Sequence, residues 1–207
     1  MGKKVLSDFG LAKATNSFGF ANPNQIYGKQ IPPESFDSTD KTLLFDIYQS
    51  GITLYRLLNG EQHFHSQLSK FTSRDEFIEA VKTGNFPERD NYLPHIPLKL
   101  QRIVNKAISV ELTERHQSIL ELINELSEVD ENLDWSFIEN GNTKKWSFNN
   151  GNHTYDIVVN FADPKKITMQ TTKTNNSTGK SQRVTSDCHN NLTRNNVLSN
   201  IKKALRQ

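Results

Sequence analysis

The sequence has little cysteine and no long hydrophobic run. Cys188 is its one cysteine, which excludes an intramolecular disulfide framework and a zinc site built from cysteines. No apolar segment typical of a secretory signal follows the N-terminus. The most apolar stretch, residues 43–58, is short and contains Asp46, and an ionised Asp costs about 2.5–3.5 kcal/mol inside a bilayer. We therefore expect a cytoplasmic protein that makes no contact with a membrane.

Glycine and proline are also too few for a collagen-like or low-complexity chain, at 10 and 7 of 207 residues. The balance of 34% hydrophobic and 23% charged residues is that of a globular protein. The net charge of +2 divides unevenly, since residues 1–142 sum to −6 and residues 143–207 to +8. This asymmetry, with a change to Asn-, Thr- and Lys-rich composition, predicts two domains, residues 1–130 and 131–207.

The first domain has the periodicity of helices and loops. Residues 10–33 show no sustained period and predict an extended loop. Residues 41–58 have apolar side chains on every side, which predicts a helix buried all round and ended by Asn59-Gly60. Ser73 with Glu76 and Ser118 with Glu121 have capping-box spacing and predict two further helix starts. A one-sided apolar stripe predicts another helix at Leu100, Ile103, Val104, Ala107 and Ile108.

The second domain changes to the period of strands. Trp135-Ser136-Phe137 and Trp146-Ser147-Phe148 are similar segments, each followed by an Asn-Gly pair that favours a tight hairpin. Alternating apolar residues predict strands at residues 155–161 and 167–174, with a possible short one near 183–185. A stripe at Val197, Leu198, Ile201 and Leu205 predicts a final helix. The chain is therefore predicted to be α+β, mainly helical first, then a small antiparallel sheet plus a helix.

Several residues of both domains allow two interpretations. Trp135 and Trp146 could anchor the core of the sheet or serve as stacking platforms for a nucleic acid. His63 and His65 lie near Glu61, but no third metal ligand converges with them, which favours ordinary loop residues. The +8 segment could bind an anionic partner or form a solvated basic surface.

Five motifs in order resemble those of eukaryotic-type Ser/Thr protein kinases. Asp8-Phe9-Gly10 resembles the metal-binding turn, and Pro32-Pro33-Glu34, 26 positions later, resembles the end of the activation segment. Asp46-Ile47-Tyr48-Gln49-Ser50-Gly51 and Leu57-Leu58-Asn59-Gly60 resemble the start and end of the central helix of the large lobe. Glu111-Leu112-Thr113-Glu114-Arg115 resembles the segment that carries a structural arginine. The resemblance implies a kinase-like large lobe with an activation segment at residues 8–34.

The resemblance also implies which catalytic parts this sequence lacks. Within the 207 residues we find neither the glycine-rich loop nor the catalytic loop of the family, so no residue is assigned as catalytic. The intact family uses ATP and magnesium, and this chain alone is expected to hold no cofactor. Asp8, Phe9 and Gly10 form a vestigial magnesium-binding turn, and Asp8 would hold the metal only when a nucleotide lobe completes the site. We expect the distal part of a kinase, inactive by itself.

Other family positions are structural by resemblance. Glu34 and Arg115 resemble a buried ion pair that ties the activation segment to the lobe. Asp46 resembles a carboxylate that accepts backbone hydrogen bonds from the catalytic loop, and it could instead be a first-turn carboxylate stabilised by the helix dipole. Gly51 belongs to the same central-helix motif. Thr15 and Ser17 lie where relatives are phosphorylated, or are plain polar loop residues.

Two functions follow from these expectations. In the first, the chain is the large-lobe part of a Ser/Thr protein kinase, whose intact family transfers phosphate from ATP to protein hydroxyls. In the second, it is a non-catalytic docking or regulatory module whose residues 143–207 bind an anionic partner such as nucleic acid. An apolar patch on the large-lobe face would recruit a protein partner or drive self-association in either case.

Overall fold

The computed structural model describes residues 30–38, 42–130 and 134–206. It divides the chain into two compact units, with the boundary between Asp130 and Glu131. The predicted Asp8-Phe9-Gly10 turn, Thr15 and Ser17 lie outside the described residues, as does most of the segment 8–34. Each unit is therefore described separately, from Gln30 onward.

The described part of the first unit is helical. A short 3-10 helix, Pro33–Phe36, precedes α1 (Leu43–Asn59), α2 (Glu61–Leu68), α3 (Arg74–Lys82) and α4 (Leu98–Ala107). A second 3-10 helix, Leu112–Glu114, leads to α5 (Ile119–Ser127). The helix α2 was not predicted, because its composition is largely polar and only Phe64 and Gln67 of its side chains are buried.

Helix α1 forms the centre of this unit, but one of its faces is exposed. Its buried side carries Phe45, Ile47, Tyr48, Gly51, Ile52 and Tyr55. Leu43, Asp46, Thr53 and Leu57 recur at intervals of three, seven and four residues on the opposite side, and Leu57 is 75% exposed. The expectation of a helix buried on all sides was therefore wrong. The sequence did not reveal the exposed face of α1, because that face carries the apolar residues Leu43 and Leu57.

Serine caps begin two helices at the positions that the sequence indicated. The Ser73 and Ser118 hydroxyls accept hydrogen bonds from the backbone N–H of Glu76 and Glu121, three residues later. The reciprocal bonds differ from an ordinary capping box, because the Glu76 carboxylate accepts from the N–H of Thr72. Each glutamate thus reaches one residue farther back than the box requires, since Glu121 accepts from the N–H of Gln117.

The described second unit is an antiparallel sheet with one helix. Its strands are β1 (Ser136–Asn140), β2 (Thr143–Asn149), β3 (His153–Asn160), β4 (Ile167–Asn175), β5 (Ser181–Arg183) and β6 (His189–Leu192). The first five are neighbours in chain order, and β6 also pairs with β4. Helix α6 (Arg194–Ala204) packs Val197, Ile201 and Ala204 into the core of the sheet.

The register of the sheet places the two tryptophans in its core. Trp146 pairs with Phe137 on β1 and Ile157 on β3, so these three side chains share one face. Trp146 is fully buried, and Trp135 packs on Phe148 with ring centroids 5.3 Å apart. Both tryptophans are core anchors, and neither is available to stack on a nucleic-acid base.

These observations confirm the prediction of an α+β protein. Strands β3 and β4 agree closely with the strands predicted at residues 155–161 and 167–174. Gly141, between β1 and β2, has a φ of +55°, as a tight hairpin turn requires. Strand β6 was missed, because His189–Leu192 is short and contains no apolar alternation. Among the described residues, no helix combines the length and hydrophobicity needed to cross a bilayer.

At Gly51 helix α1 leaves no room for a side chain beside α4, and replacing Gly51 tests this packing. A Cβ at Gly51 would lie 2.6 Å from Cγ2 of Ile108 and 2.9 Å from Cβ of Ala107. Ala in place of Gly stabilises an ordinary helix interior by about 0.5–1 kcal/mol, but here overpacking dominates. We expect Gly51→Ala to lower the free energy of unfolding by about 1–3 kcal/mol, measured by urea denaturation with circular dichroism.

Leu57→Ala is the control on the same helix, because Leu57 is exposed. We expect it to change the free energy of unfolding by less than about 0.5 kcal/mol. A Gly51→Ala protein that is as stable as the wild type would contradict the close approach of α1 and α4.

Candidate functional site

An ion pair joins the start of the described chain to the segment between α4 and α5; its arginine side chain is buried and its glutamate side chain is 25% exposed. Arg115 Nη1 donates to Oε1 of Glu34 at 2.8 Å, and Nη2 donates to Oε2 at 2.7 Å. The two residues are 81 positions apart in sequence. A planar guanidinium matches a carboxylate in this two-point geometry, which fixes orientation as well as distance. The structure thus brings Glu34 and Arg115 together.

The remaining donors of Arg115 are also satisfied. Its Nε donates to the carbonyl of Ser109 at 2.7 Å, and Nη1 also donates to the carbonyl of Leu44 at 3.0 Å. Arg115 is 1% exposed, and its guanidinium lies 4.9 Å from the ring centroid of Tyr48. Because the arginine side chain is buried, these carbonyls supply acceptors that water cannot, and they help to hold the guanidinium beside Glu34.

Local sequence explains how both partners reach this position. Pro33 is buried at the first position of the 3-10 helix Pro33–Phe36, where its fixed φ suits a helix start. Glu34 is the next residue and projects toward the helices. Arg115 follows the 3-10 helix Leu112–Glu114 in an extended conformation. Burial also raises the pKa of Tyr48 to about 12, so the ring beneath Arg115 remains neutral.

Asp46 lies in the first turn of α1, on its exposed face. Its carboxylate borders a cavity of about 470 Å³ whose walls include Gln30, Ser50 and Ile123. Partial burial raises the pKa of Asp46, and no described residue donates a hydrogen bond to its side chain. The positive end of the α1 dipole is the favourable interaction that the structure supplies to this carboxylate.

The histidines near Glu61 lie on helix α2 and not in a loop. His65 Nε2 is 3.0 Å from Oε1 of Glu61 one helical turn away, and a nitrogen of His63 is 2.9 Å from the carbonyl of Asn91. No group of three or more potential His, Cys, Asp or Glu ligands converges among the described residues. Asp8, the predicted magnesium ligand, lies outside the described residues.

A buried polar network supports the same unit and was not found from the sequence. The amide of Gln67 donates to the hydroxyl of Tyr55 at 2.8 Å, and that hydroxyl donates to the carbonyl of Glu88 at 2.9 Å. Asn59 Oδ1 accepts from the N–H of Leu93 at 3.0 Å. These bonds fix the loop between α3 and α4 onto α1. The sequence gives one indication of this network: Gln67 is three residues after the apolar Phe64 and so lies on the same side of α2.

The contacts around Arg115 hold separate chain segments together. Glu34 and Arg115 satisfy each other, and Gly51 permits close packing. No nucleophile with an adjacent base lies among the functional candidates that the structure describes. The described geometry is therefore that of an ion pair joining Glu34 to Arg115.

Removing Arg115 tests this ion pair. Arg115→Met leaves the Glu34 carboxylate and the carbonyls of Ser109 and Leu44 without their donor. We expect the free energy of unfolding to fall by about 3–5 kcal/mol, measured by urea denaturation followed by far-ultraviolet circular dichroism. Arg115→Lys is expected to recover less than half of this loss, because one ammonium cannot donate to both carboxylate oxygens and both carbonyls.

The matched control breaks an exposed ion pair near the same segment. Lys82 Nζ lies 2.6 Å from Oδ1 of Asp37, and both side chains are at least one-third exposed. Lys82→Met should cost less than about 1 kcal/mol. Equal losses in the Lys82 and Arg115 variants would show that the buried pair has no special role.

Comparison with known proteins relates this chain to Ser/Thr protein kinases. It is 27% identical over 128 residues to a probable serine/threonine-protein kinase PknB of Lactococcus lactis, a match covering 61% of this chain and 20% of that protein. A probable serine/threonine-protein kinase of Clostridium acetobutylicum is 26% identical over 129 residues, covering 61% and 19%. The serine/threonine-protein kinase PknD of Protochlamydia amoebophila is 30% identical over 126 residues, covering 57% and 12%.

No family model matches the chain. The chain spans about a fifth or less of the length of these curated relatives. The similarity supports a kinase-related protein, and the predicted relationship to Ser/Thr protein kinases is confirmed at this level.

Proposed function

We propose that residues 1–130 form the large lobe of a Ser/Thr protein kinase and that Glu34 and Arg115 anchor its activation segment. The observation that carries this proposal is the buried two-point ion pair between residues 81 positions apart. It joins two of the five sequence motifs by direct contact. Similarity to named kinases over about 60% of the chain supports the same assignment.

The helices around the pair support this assignment. Arg115 lies over the ring of Tyr48, which belongs to the motif at residues 46–51, and Gly51 of that motif allows α4 to approach. Three motifs, at Glu34, at residues 46–51 and at Arg115, thus meet around one helix. Contact with the same helix, α1, would explain why the three motifs occur in one chain although they are far apart in sequence.

The role proposed for this lobe is positioning. Phosphoryl transfer requires nucleotide, metal ions and acceptor to be held together, and in the intact family ATP and magnesium are gripped largely by elements that these 207 residues do not include. Asp8 would be a magnesium ligand when a nucleotide lobe completes the site. We therefore expect this stretch alone to transfer no phosphate.

A second candidate is a binding function in the basic unit. Residues 143–207 contain 11 Lys and Arg against 3 Asp and Glu, an excess that favours an anionic partner. This function is compatible with the first, because it uses a different unit. Nucleic acid is one partner of this chemistry, and its binding would weaken steeply with added salt.

A chimera tests the large-lobe assignment. In it, residues 1–130 of this chain replace the corresponding stretch of the Lactococcus lactis kinase PknB, to which this chain is 27% identical over 128 residues. We expect the chimera to transfer labelled phosphate from ATP to a protein substrate, whereas the 207-residue chain alone does not. Asp8→Ala should lower the rate of the chimera at least about 100-fold, because magnesium loses a ligand.

Arg115→Met and Lys82→Met form the matched pair in this chimera. The first should abolish transfer by releasing the segment that ends at Glu34, and the second should leave the rate within about twofold. A chimera that folds by circular dichroism but transfers no phosphate would contradict the assignment. Steady transfer by the chain alone that Asp8→Ala abolishes would contradict the proposed inactivity.

A further inference from the structure

A cationic cavity lies in the second unit, at the end of strands β3, β4 and β5. Its volume is about 400 Å³, within the range of small-ligand sites. Its lining residues are His153, Lys173, Asn175, Thr178, Lys180, Ser181 and Gln182. Two of these seven carry a permanent positive charge and none carries a negative one.

Strand register explains why these residues meet. His153 pairs with Asn175, and Lys173 pairs with Tyr155 on one side and Gln182 on the other. Side chains that pair across strands point to the same face, so Lys173 and Gln182 project together. They lie on the face that carries the core, farther along the strands than the residues that α6 covers.

The turn between β4 and β5 closes the cavity and is itself well ordered by hydrogen bonds. Asn175 Oδ1 accepts from the N–H of Ser177 at 3.0 Å and from that of Thr178 at 2.9 Å. The N–H of Gly179 donates to the carbonyl of Asn175 at 2.9 Å, with a φ of +69° at Gly179. The turn therefore returns Lys180 to the side of Lys173 in a fixed geometry.

Among the described residues of this unit, no acidic side chain forms an ion pair with a lysine of the cavity, and Glu139 pairs with Lys144 instead. Asp156 is one position from Tyr155 and projects to the opposite face, where it pairs with Lys145 at 2.9 Å. Asp163 lies in the β3–β4 turn and accepts from the N–H of Lys165, and Asp187 is buried. No ion pair of Lys173 or Lys180 is found in the described part of the chain, which leaves both charges available.

Lys173 is also held in place before any ligand binds. Its ammonium lies 5.3 Å from the ring centroid of Tyr155, a cation–π contact that favours this orientation of the side chain. The Tyr155 ring in turn stacks on Phe148 with centroids 6.2 Å apart. Because the Lys173 side chain is already partly ordered, it loses less conformational entropy when a ligand binds.

We propose that this cavity binds a phosphate monoester. Such a group carries a charge of about −1.5 to −2 at pH 7 and three strong acceptor oxygens. Two ammonium groups match that charge, and the amides of Asn175 and Gln182 and the ring of His153 can donate to the remaining oxygens. The cavity is one compact site, which suits a single dianionic group.

A phosphorylated Ser or Thr side chain is the source of the phosphate that the observations favour. A nucleic-acid strand needs a groove with several phosphate contacts and exposed aromatic platforms, but Trp135 and Trp146 are buried and Tyr155 already contacts Phe148 and Lys173. Phosphoserine and phosphothreonine are the products of Ser/Thr kinases, so this choice of source rests on the proposed function. The phosphate site itself does not.

Nuclear magnetic resonance of the full chain tests the proposal. The probe is N-acetyl-O-phosphothreonine amide, with the unphosphorylated compound, thymidine 5′-monophosphate and an oligothymidine as parallel ligands. We expect the phosphothreonine probe to shift the amide signals of Thr178, Gly179 and Lys180 and to bind several-fold tighter than thymidine monophosphate. Inorganic phosphate should displace it, and the unphosphorylated compound should cause no shift.

Two charge-matched double variants identify the site. Lys173→Gln with Lys180→Gln should weaken binding at least about tenfold, because both charged donors are lost. Lys165→Gln with Lys166→Gln removes the same charge from the exposed β3–β4 turn and should change affinity less than about twofold.

Equal loss in both double variants would overturn the proposal, as would absence of binding by every probe. Tighter binding of oligothymidine than of phosphothreonine would assign the surface to nucleic acid instead. Tighter binding of thymidine monophosphate would overturn the assignment to Ser or Thr. If the chain binds phosphothreonine but the chimera transfers no phosphate, the phosphate site stands and only the kinase assignment is contradicted.

Discussion

The buried Arg115 constrains how three segments of the helical unit meet. The guanidinium of Arg115 has to find an acceptor for each donor direction, since it is out of reach of water. Glu34 supplies two, and the carbonyls of Leu44 and Ser109 supply others. The segment before α1, the start of α1 and the loop after α4 must therefore all converge on one point. Gly51 packs against Ala107 and Ile108, which lets α1 and the end of α4 come as close as this convergence needs.

The two units use charge in opposite ways. In the helical unit the decisive charges are paired and buried, so they define geometry and offer nothing to a ligand. In the sheet unit the core is largely apolar, and within the described residues neither Lys173 in β4 nor Lys180 before β5 forms an ion pair, so both offer charge to a ligand. A chain that combines a positioning lobe with a phosphate-binding module would have both the scaffold for making a phosphorylated side chain and a site for holding one.

Local signals predicted much of the fold. Ser73 and Ser118 marked helix starts because a cap is satisfied within three residues, and strands β2 to β4 followed from alternation along the chain. The open face of α1 and the cavity around Lys180 were missed for a physical reason. Burial depends on which neighbours cover a side chain, and Lys180 reaches Lys173 through a turn held by Asn175. Family resemblance located Glu34 and Arg115 but could not supply their distances.

The central claim is that the Glu34–Arg115 interaction itself organises the helical unit, and a double-mutant cycle measures that interaction most directly. The cycle compares Glu34→Gln, Arg115→Met and the double variant by urea denaturation, with Lys82→Met and Asp37→Asn as the exposed reference pair. The account predicts a coupling energy of at least about 2 kcal/mol for the buried pair and less than about 1 kcal/mol for the reference. A buried-pair coupling near zero would contradict the account, because the two side chains would then contribute independently.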